Sequence, residues 1–172
     1  MIEVRWHARA GQGAKTASQL LAMAEMSEGR YVQAFPEYGP ERRGAPMRAF
    51  TRLDDRPIRR HDAVTEPDAV VVLEESLMKD VDVREGLKRD GLLLVNAAGQ
   101  SNGIVYVDAD RLAAELGSKF VNIVMVGALA AALGEPSLEE LVDGAREVLG
   151  KKVDAELLRS ALTAGWEAAC PR

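Results

Sequence analysis

Apolar residues recur along the chain with two different spacings, one typical of strands and one typical of helices. Segments of the two kinds alternate, so the sequence predicts strands and helices in turn. Two short runs, Ala69 to Leu73 and Leu92 to Val95, are continuously apolar, which is typical of strands covered on both faces. Met47 to Leu53 instead alternates between two sets of side chains, as a strand does. Further short strands are predicted at Ile2 to Trp6, Tyr31 to Phe35 and Ile104 to Val107.

Helical spacing predicts helices in the remaining segments. The first helix ends near Gly29, and its apolar stripe is formed by Ala17, Leu20, Leu21 and Ala24. The run Val121 to Leu133 predicts a buried helix, because about 13 residues are too few to span a membrane. Ser137 and Glu140 form a capping box, and Asp154 is the expected N-cap of the last helix.

Strands that alternate with helices predict an α/β protein. At 172 residues the chain can bury one sizeable core, so we expect a single domain over residues 1–172. The expected architecture is a three-layer α/β/α domain with a mostly parallel central sheet. If the sheet is mixed, its antiparallel member should come from the Tyr31–Leu53 pair of strands.

Composition narrows the functional classes. The chain is 47% hydrophobic and 28% charged, as in a soluble globular protein, and its net charge of −5 argues against nucleic-acid binding. The N-terminus shows no charged-then-apolar signal pattern, and no apolar run is long enough for a membrane span. We therefore expect a cytoplasmic location.

Cys170 is the only cysteine, and it lies two residues from the end. An iron–sulfur cluster, a zinc site or a disulfide framework cannot be built from this chain alone. His7 and His61 show no spacing to carboxylates that suggests a metal site. No metal ligand and no catalytic residue is therefore assigned, and the chain does not resemble a self-sufficient enzyme.

Charge is distributed unevenly. Residues 37–60 have a net charge of +3, so the rest of the chain has a net charge of −8. Every cation in this basic segment is an arginine: 42, 43, 48, 52, 56, 59 and 60. Such a local patch suits a small anionic ligand or a partner subunit better than a nucleic-acid duplex.

Arg42 and Arg43 stand in a loop that proline and glycine make stiff. The segment from Pro36 to Pro46 lies between two predicted strands, and its restricted backbone can hold two adjacent guanidiniums in place for phosphate or carboxylate. The same composition is also typical of an ordinary turn with solvated arginines. Both interpretations stand on composition alone.

The Gly11-Gln12-Gly13 loop is the second candidate. It joins the first strand to the first helix, where backbone N–H groups and the helix dipole favour an anion. Thr16 replaces the third glycine of a dinucleotide fingerprint, and Lys15-Thr16 follows Ala14, so a P-loop is absent as well. A tight turn with no ligand remains an equal interpretation.

Three further polar sites occur where strands end or helices begin. Glu74-Glu75 follows the Ala69–Leu73 strand, Asn96 ends the next one, and Asn122 opens the Val121–Leu133 helix. The two acids are either functional groups at a strand end or ordinary acids at the start of a helix. The two asparagines either line one crevice at the carboxyl edge of the sheet or serve as local caps and turns.

At this point the motifs carry a family resemblance. AGQGAKTASQLLA and YVQAFPEYGPERRGAPMRAFTR resemble the gamma subunit of 2-oxoacid:ferredoxin oxidoreductases, the pyruvate and branched-chain ketoisovalerate synthases. PDAVVVLEESL, GLLLVN and VNIVMVGALAAALG extend the resemblance over nearly the whole chain. FPEYGPERRGAP is its longest and most specific string.

The resemblance implies a non-autonomous subunit of an oxidoreductase complex. Such enzymes use thiamine diphosphate to decarboxylate a 2-oxoacid, pass electrons through iron–sulfur clusters to ferredoxin, and release an acyl-CoA. Thiamine diphosphate and the clusters are expected on alpha, beta and delta-type partner subunits only. The gamma subunit is expected to close the active site and to help bind coenzyme A.

Coenzyme A carries a 3′-phosphate and a pyrophosphate, and the two loops offer matching groups. The expected contacts are Gly11, Gln12, Gly13, Arg42 and Arg43. Two alternatives stay open at this level: a purely structural subunit of such a complex, or an independent nucleotide-binding α/β protein.

Overall fold

A computed structural model describes residues 1–37, 44–150 and 153–170. Six strands form its sheet: β1 (Ile2–Arg9), β2 (Tyr31–Pro36), β3 (Pro46–Asp54), β4 (Ala69–Val72), β5 (Leu92–Asn96) and β6 (Val105–Val107). The helices of this part of the chain are α1 (Ala14–Ser27), a 3-10 helix (Glu75–Lys79), α2 (Ala109–Glu115), α3 (Val121–Leu133), α4 (Leu138–Leu149) and α5 (Ala155–Ala169).

The sheet has the strand order β2-β3-β1-β4-β5-β6. β1 and β4 to β6 pair in parallel, whereas β3 runs antiparallel to both of its neighbours, β1 and β2. The expected α/β class is confirmed, and so is the mostly parallel sheet with an antiparallel member from the Tyr31–Leu53 pair.

Both faces of the central strands are buried, as the continuous apolar runs predicted. Val71 packs into the main core with residues from all five α-helices, while its neighbours Val70 and Val72 point into a second, smaller cluster. In the described residues, no α-helix contributes to that second cluster, which is completed by the 3-10 helix, by residues 81–87, and by Ala97, Ile104 and Tyr106 around β5 and β6. The β4–β5 connection therefore forms a thinner layer than the predicted helical one, since it is polar and lacks a long apolar stripe.

Local end signals set several helix boundaries as predicted. The capping box of Ser137 and Glu140 begins α4, Asp154 caps α5, and Gly29 follows α1 with a φ of 81°. The seven-residue helix α2 was not predicted, because so short a segment has little periodicity. β1 runs to Arg9, three residues beyond the predicted Trp6.

Three arginines of the basic segment form ion pairs with acidic side chains of the same chain. Arg52 is fully buried and its Nε donates to Glu3 Oε1 at 2.7 Å. Arg48 pairs with Glu37 in a bidentate arrangement, and Arg60 pairs with Asp62. Since these guanidiniums are neutralised internally, the patch offers fewer free cations than its sequence suggests.

None of the helices in the described ranges is both long and apolar enough for a membrane span.

Candidate functional site

A cavity of about 330 Å³ opens at the carboxyl ends of β1 and β4. From β1 the chain continues through α1 to β2 on one side, and from β4 it continues to β5 on the other side. Adjacent parallel strands whose connections diverge leave a crevice, and this is where open α/β sheets bind ligands. The lining residues are Gly11, Gln12, Gly13, Leu73, Glu74, Asp110, Lys119, Val121 and Asn122.

The predicted glycine loop forms one wall of this cavity. Gly11 and Gly13 have φ angles of 100° and 81°, a region that disfavours other residues. A Cβ on Gly13 would lie 2.5 Å from Asn122 Nδ2, and that same nitrogen donates to the Gly13 carbonyl oxygen at 3.2 Å. The glycines therefore do make a tight turn, and the turn places the start of α1 against the start of α3.

Two helix N-termini at the cavity lack side-chain caps. Neither α1 nor α3 has a capping side chain or an acid in its first turn, whereas α2, α4 and α5 have both. Lys15 lies in the first turn of α1, and Lys119 lines the cavity just before α3. A cation is unfavourable beside the positive end of a helix dipole unless an anion lies between them. This wall is therefore suited to a phosphate or carboxylate.

Glu74 gives another wall a negative charge. Burial raises the pKa of its carboxyl, but hydrogen bonds from Ser76 and Gln12 together lower that pKa by more, so the net shift is downward. The bond from Gln12 Nε2 to Glu74 Oε2 is 3.1 Å long. Glu74 is therefore ionised at neutral pH and can accept a hydrogen bond from a ligand that has a donor beside its anionic group.

The structure separates the two asparagines that sequence analysis grouped. Asn122 lines the cavity, but Asn96 is buried behind it. Asn96 accepts from the Ala109 N–H and donates to Leu73 O and Asp110 Oδ2, at 2.9, 3.0 and 2.7 Å. It joins β4 to α2 and so supports the cavity wall without lining it.

Arg42 and Arg43 lie outside the described residues, so their contact with a ligand stays a prediction. The residues that follow them are described. Gly44 O accepts from Arg9 Nη1 at 3.3 Å, and Ala45 O accepts from the Ala10 N–H at 2.9 Å. The chain after Arg43 therefore lies directly beside the β1–α1 loop, at the edge where the cavity opens.

Sequence analysis missed Asp110 and Lys119. Asp110 belongs to the unpredicted helix α2, and Lys119 to the connection between α2 and α3. One signal was available for Lys119: a cation immediately before a long apolar helix that has no Ser, Thr, Asp or Asn at its cap position. Within the described residues, no group of three His, Cys, Asp or Glu side chains is arranged to hold a metal ion.

Fold and site together define an α/β protein with an anion-compatible cavity at a switch point of a mixed sheet. Comparison with known proteins identifies the family to which this chain belongs. The family model for pyruvate ferredoxin/flavodoxin oxidoreductase matches residues 3–168. The chain belongs to that family.

Curated relatives place it within the family. The pyruvate synthase subunit PorC of Methanothermobacter marburgensis is 49% identical over 158 residues, which cover 89% of each chain. The pyruvate/ketoisovalerate oxidoreductases common subunit gamma of Thermococcus kodakarensis is 45% identical, with 88% of this chain and 91% of that one covered. The resemblance to gamma subunits is confirmed, and the chain is a gamma subunit of the pyruvate/2-oxoacid ferredoxin oxidoreductase type.

A solved structure agrees with this assignment. The crystal structure of pyruvate oxidoreductase subunit PORC from Thermotoga maritima has a TM-score of 0.83 and 42% identity. The alignment covers 96% of this chain and 95% of that one. The fold described above is therefore the fold of the family.

Proposed function

We propose that this chain, acting as one domain over residues 1–172, helps to bind coenzyme A in a thiamine-dependent 2-oxoacid:ferredoxin oxidoreductase. The supporting observation is the cavity at the carboxyl ends of β1 and β4, where two uncapped helix N-termini and Lys119 meet. The phosphates of coenzyme A are the anions that this wall suits. The chain binds and orients its ligand and leaves the covalent chemistry to groups on other subunits.

The proposal divides the reaction between subunits. Thiamine diphosphate and the iron–sulfur clusters belong to alpha, beta and delta-type partners, and ferredoxin reaches the enzyme through the complex. Four thiolates hold a cluster, and this chain has only Cys170. The relatives' names, which describe subunits of pyruvate and ketoisovalerate enzymes, support such an assembly.

The proposal assigns a task to each of the ligand-binding residues. Gly11, Gln12 and Gly13 let a phosphate approach the backbone N–H groups at the start of α1, and Lys119 adds a charge beside α3. Arg42 and Arg43, which precede Gly44 in the sequence, supply further phosphate contacts in this proposal. Glu74 accepts from a hydroxyl or amide N–H of the same ligand.

Two variants of the assembled complex test the proposal: Arg42→Ala with Arg43→Ala, and Lys119→Gln alone. A hydrogen bond to a charged group contributes about 1.5–3 kcal/mol, so each lost contact should raise the KM for coenzyme A by roughly 10- to 150-fold. The decarboxylation half-reaction precedes coenzyme A and should keep its rate. Steady-state kinetics and single-turnover decarboxylation measure the two effects separately.

Arg56→Ala with Arg59→Ala is the matched control. These two exposed arginines belong to the same basic segment, but they follow β3 at the opposite end of the sheet. The control should leave the KM for coenzyme A unchanged. Equal losses in both half-reactions, with the affinity for coenzyme A intact, would instead support a purely structural subunit.

A further inference from the structure

Arg9, the last residue of β1, connects three segments that are distant in the sequence. Its Nη1 donates at 3.3 Å to the carbonyl oxygen of Gly44, which lies two residues before β3. Its Nη2 donates to Ser76 Oγ at 3.0 Å and to Asp80 Oδ2 at 2.9 Å, in and just after the 3-10 helix. The Arg9 side chain is 30% exposed, so it is only partly accessible to solvent.

The same residue closes a ring of hydrogen bonds at the cavity. Ser76, which binds the guanidinium, donates its N–H to Glu74 Oε1 at 3.4 Å. Glu74 Oε2 accepts from Gln12 Nε2 at 3.1 Å, and Gln12 Oε1 accepts from the backbone N–H of Arg9 at 2.7 Å, a bond that every Arg9 variant keeps. The ring therefore runs from Arg9 through Ser76, Glu74 and Gln12 back to Arg9.

Only two members of this ring, Gln12 and Glu74, line the cavity, and Arg9 does not. Arg9 thus acts on the cavity through other residues. A planar guanidinium presents donors in several fixed directions, so it can bind a carbonyl, a hydroxyl and a carboxylate at once. A lysine ammonium carries its three donors on a single atom and cannot reach the same separated acceptors.

We infer that Arg9 is a positioning residue for the coenzyme A site. Its guanidinium holds Ser76, whose N–H binds Glu74, and so positions the carboxylate to which Gln12 donates. It also fixes Gly44 beside the β1–α1 loop, without touching the ligand. This inference rests on the proposed function of the cavity, and it adds a residue to which sequence analysis assigned no role.

The test is a double-mutant cycle in the assembled complex with Arg9→Gln, Gln12→Ala and the combination. Arg9→Gln should raise the KM for coenzyme A by about fivefold or more and leave the decarboxylation half-reaction unchanged. Because both changes release the same Glu74 carboxylate, one through Ser76 and the other directly, the combined variant should show a KM no larger than about that of the worse single variant. Arg9→Lys, which keeps the charge, should give an intermediate KM.

Two further variants protect the test against misfolding and non-specific charge effects. Asp80→Ala removes a single acceptor of the Arg9 guanidinium and should raise the KM in the same direction by a smaller factor. Arg111→Gln is the matched control, because Arg111 is an exposed arginine paired with Glu115 on α2. It should leave every kinetic constant unchanged.

The inference is overturned if Arg9→Gln leaves the KM for coenzyme A unchanged. It is also overturned if the effects of Arg9→Gln and Gln12→Ala multiply, or if both half-reactions fall together. These results are distinct from failure of the proposed function. If the Arg42/Arg43 and Lys119 variants keep a normal KM for coenzyme A, the proposed function fails and this inference fails with it.

Discussion

At the scale of single residues, His7 shows how the fold changes the chemistry of a side chain. It is 5% exposed, on the sheet face opposite the α-helices, and its Nε2 accepts from Arg5 Nε at 3.1 Å. Burial lowers the pKa of its imidazole, and the charges of Arg5 and Arg48 lower it further, to about 4, against a small opposing effect of Glu37. His7 is therefore neutral in the folded protein at physiological pH.

This pKa predicts an acid-dependent loss of stability. The unfolded chain protonates His7 below about pH 6.5, while the folded protein resists protonation until about pH 4. The unfolded state thus binds more protons in this window, and the contribution of His7 to the free energy of unfolding is complete above pH 6.5 and lost as the pH falls towards 4. At about 1.4 kcal/mol per pKa unit, the loss amounts to roughly 3 kcal/mol. Urea unfolding at a series of pH values measures it.

His7→Gln should make the free energy of unfolding less dependent on pH between 6.5 and 4. His61→Gln is its control, because His61 is exposed in the loop after β3. An unchanged pH slope in His7→Gln would show that other groups cause the acid sensitivity.

At the scale of elements, glycines set how closely the helices pack. A Cβ on Gly165 in α5 would fall far inside van der Waals contact with Val124 O in α3, and Gly127 in α3 meets Leu162 O of α5 in the same way. Gly144 in α4 likewise faces the Ala24 backbone in α1. The two helix pairs are therefore in backbone contact, which fixes α3, and with it Asn122, relative to the cavity.

The sign of the change in stability caused by Gly165→Ala distinguishes the effect of helix propensity from the effect of packing. Propensity alone predicts that alanine stabilises a helix interior by about 1 kcal/mol. Overpacking against the Val124 carbonyl predicts a loss of about 1–3 kcal/mol or more, and we expect this loss to dominate. Thermal unfolding of the variant measures the balance. Glu167→Ala on the exposed side of α5 should leave the unfolding temperature nearly unchanged, and a stabilised Gly165→Ala would contradict the close packing.

At the scale of the whole molecule, the proposed function gives this chain a binding role and leaves catalysis to groups on other subunits. Apart from residues 37–60 the chain carries −8, and its one cysteine is exposed at the end of α5. A redox reaction with ferredoxin needs an electron carrier, and one thiolate does not form a cluster.

The purified chain should therefore not reduce ferredoxin when it is given pyruvate and coenzyme A. Iron and sulfide reconstitution should produce no cluster absorbance. Adding the same preparation to partner subunits that lack their gamma subunit should restore turnover, which serves as the positive control. Turnover by the isolated chain would refute the division of labour proposed above.

Much of the fold was predictable because its signals are local. A strand shows its two-residue period over a few positions, and the caps at Ser137 and Asp154 lie next to the helices that they begin. The loop Gly11–Gly13 was identified for the same reason, since two positive-φ glycines stand between a strand and a helix. The short helix α2 and the thin layer of the β4–β5 connection were not predicted, because neither has a clear period.

The sequence by itself determined the α/β class, the run of strands and helices, the glycine loop at the first helix and the resemblance to gamma subunits. Only the tertiary structure decided which charged groups remain available and which residues meet at the cavity. The antiparallel register places Arg52 opposite Glu3 and buries it, and Asn122 reaches Gly13 from 109 positions away. The physical reason is that the partner of a polar group depends on strand register and helix packing, which arise from contacts between segments far apart in the chain.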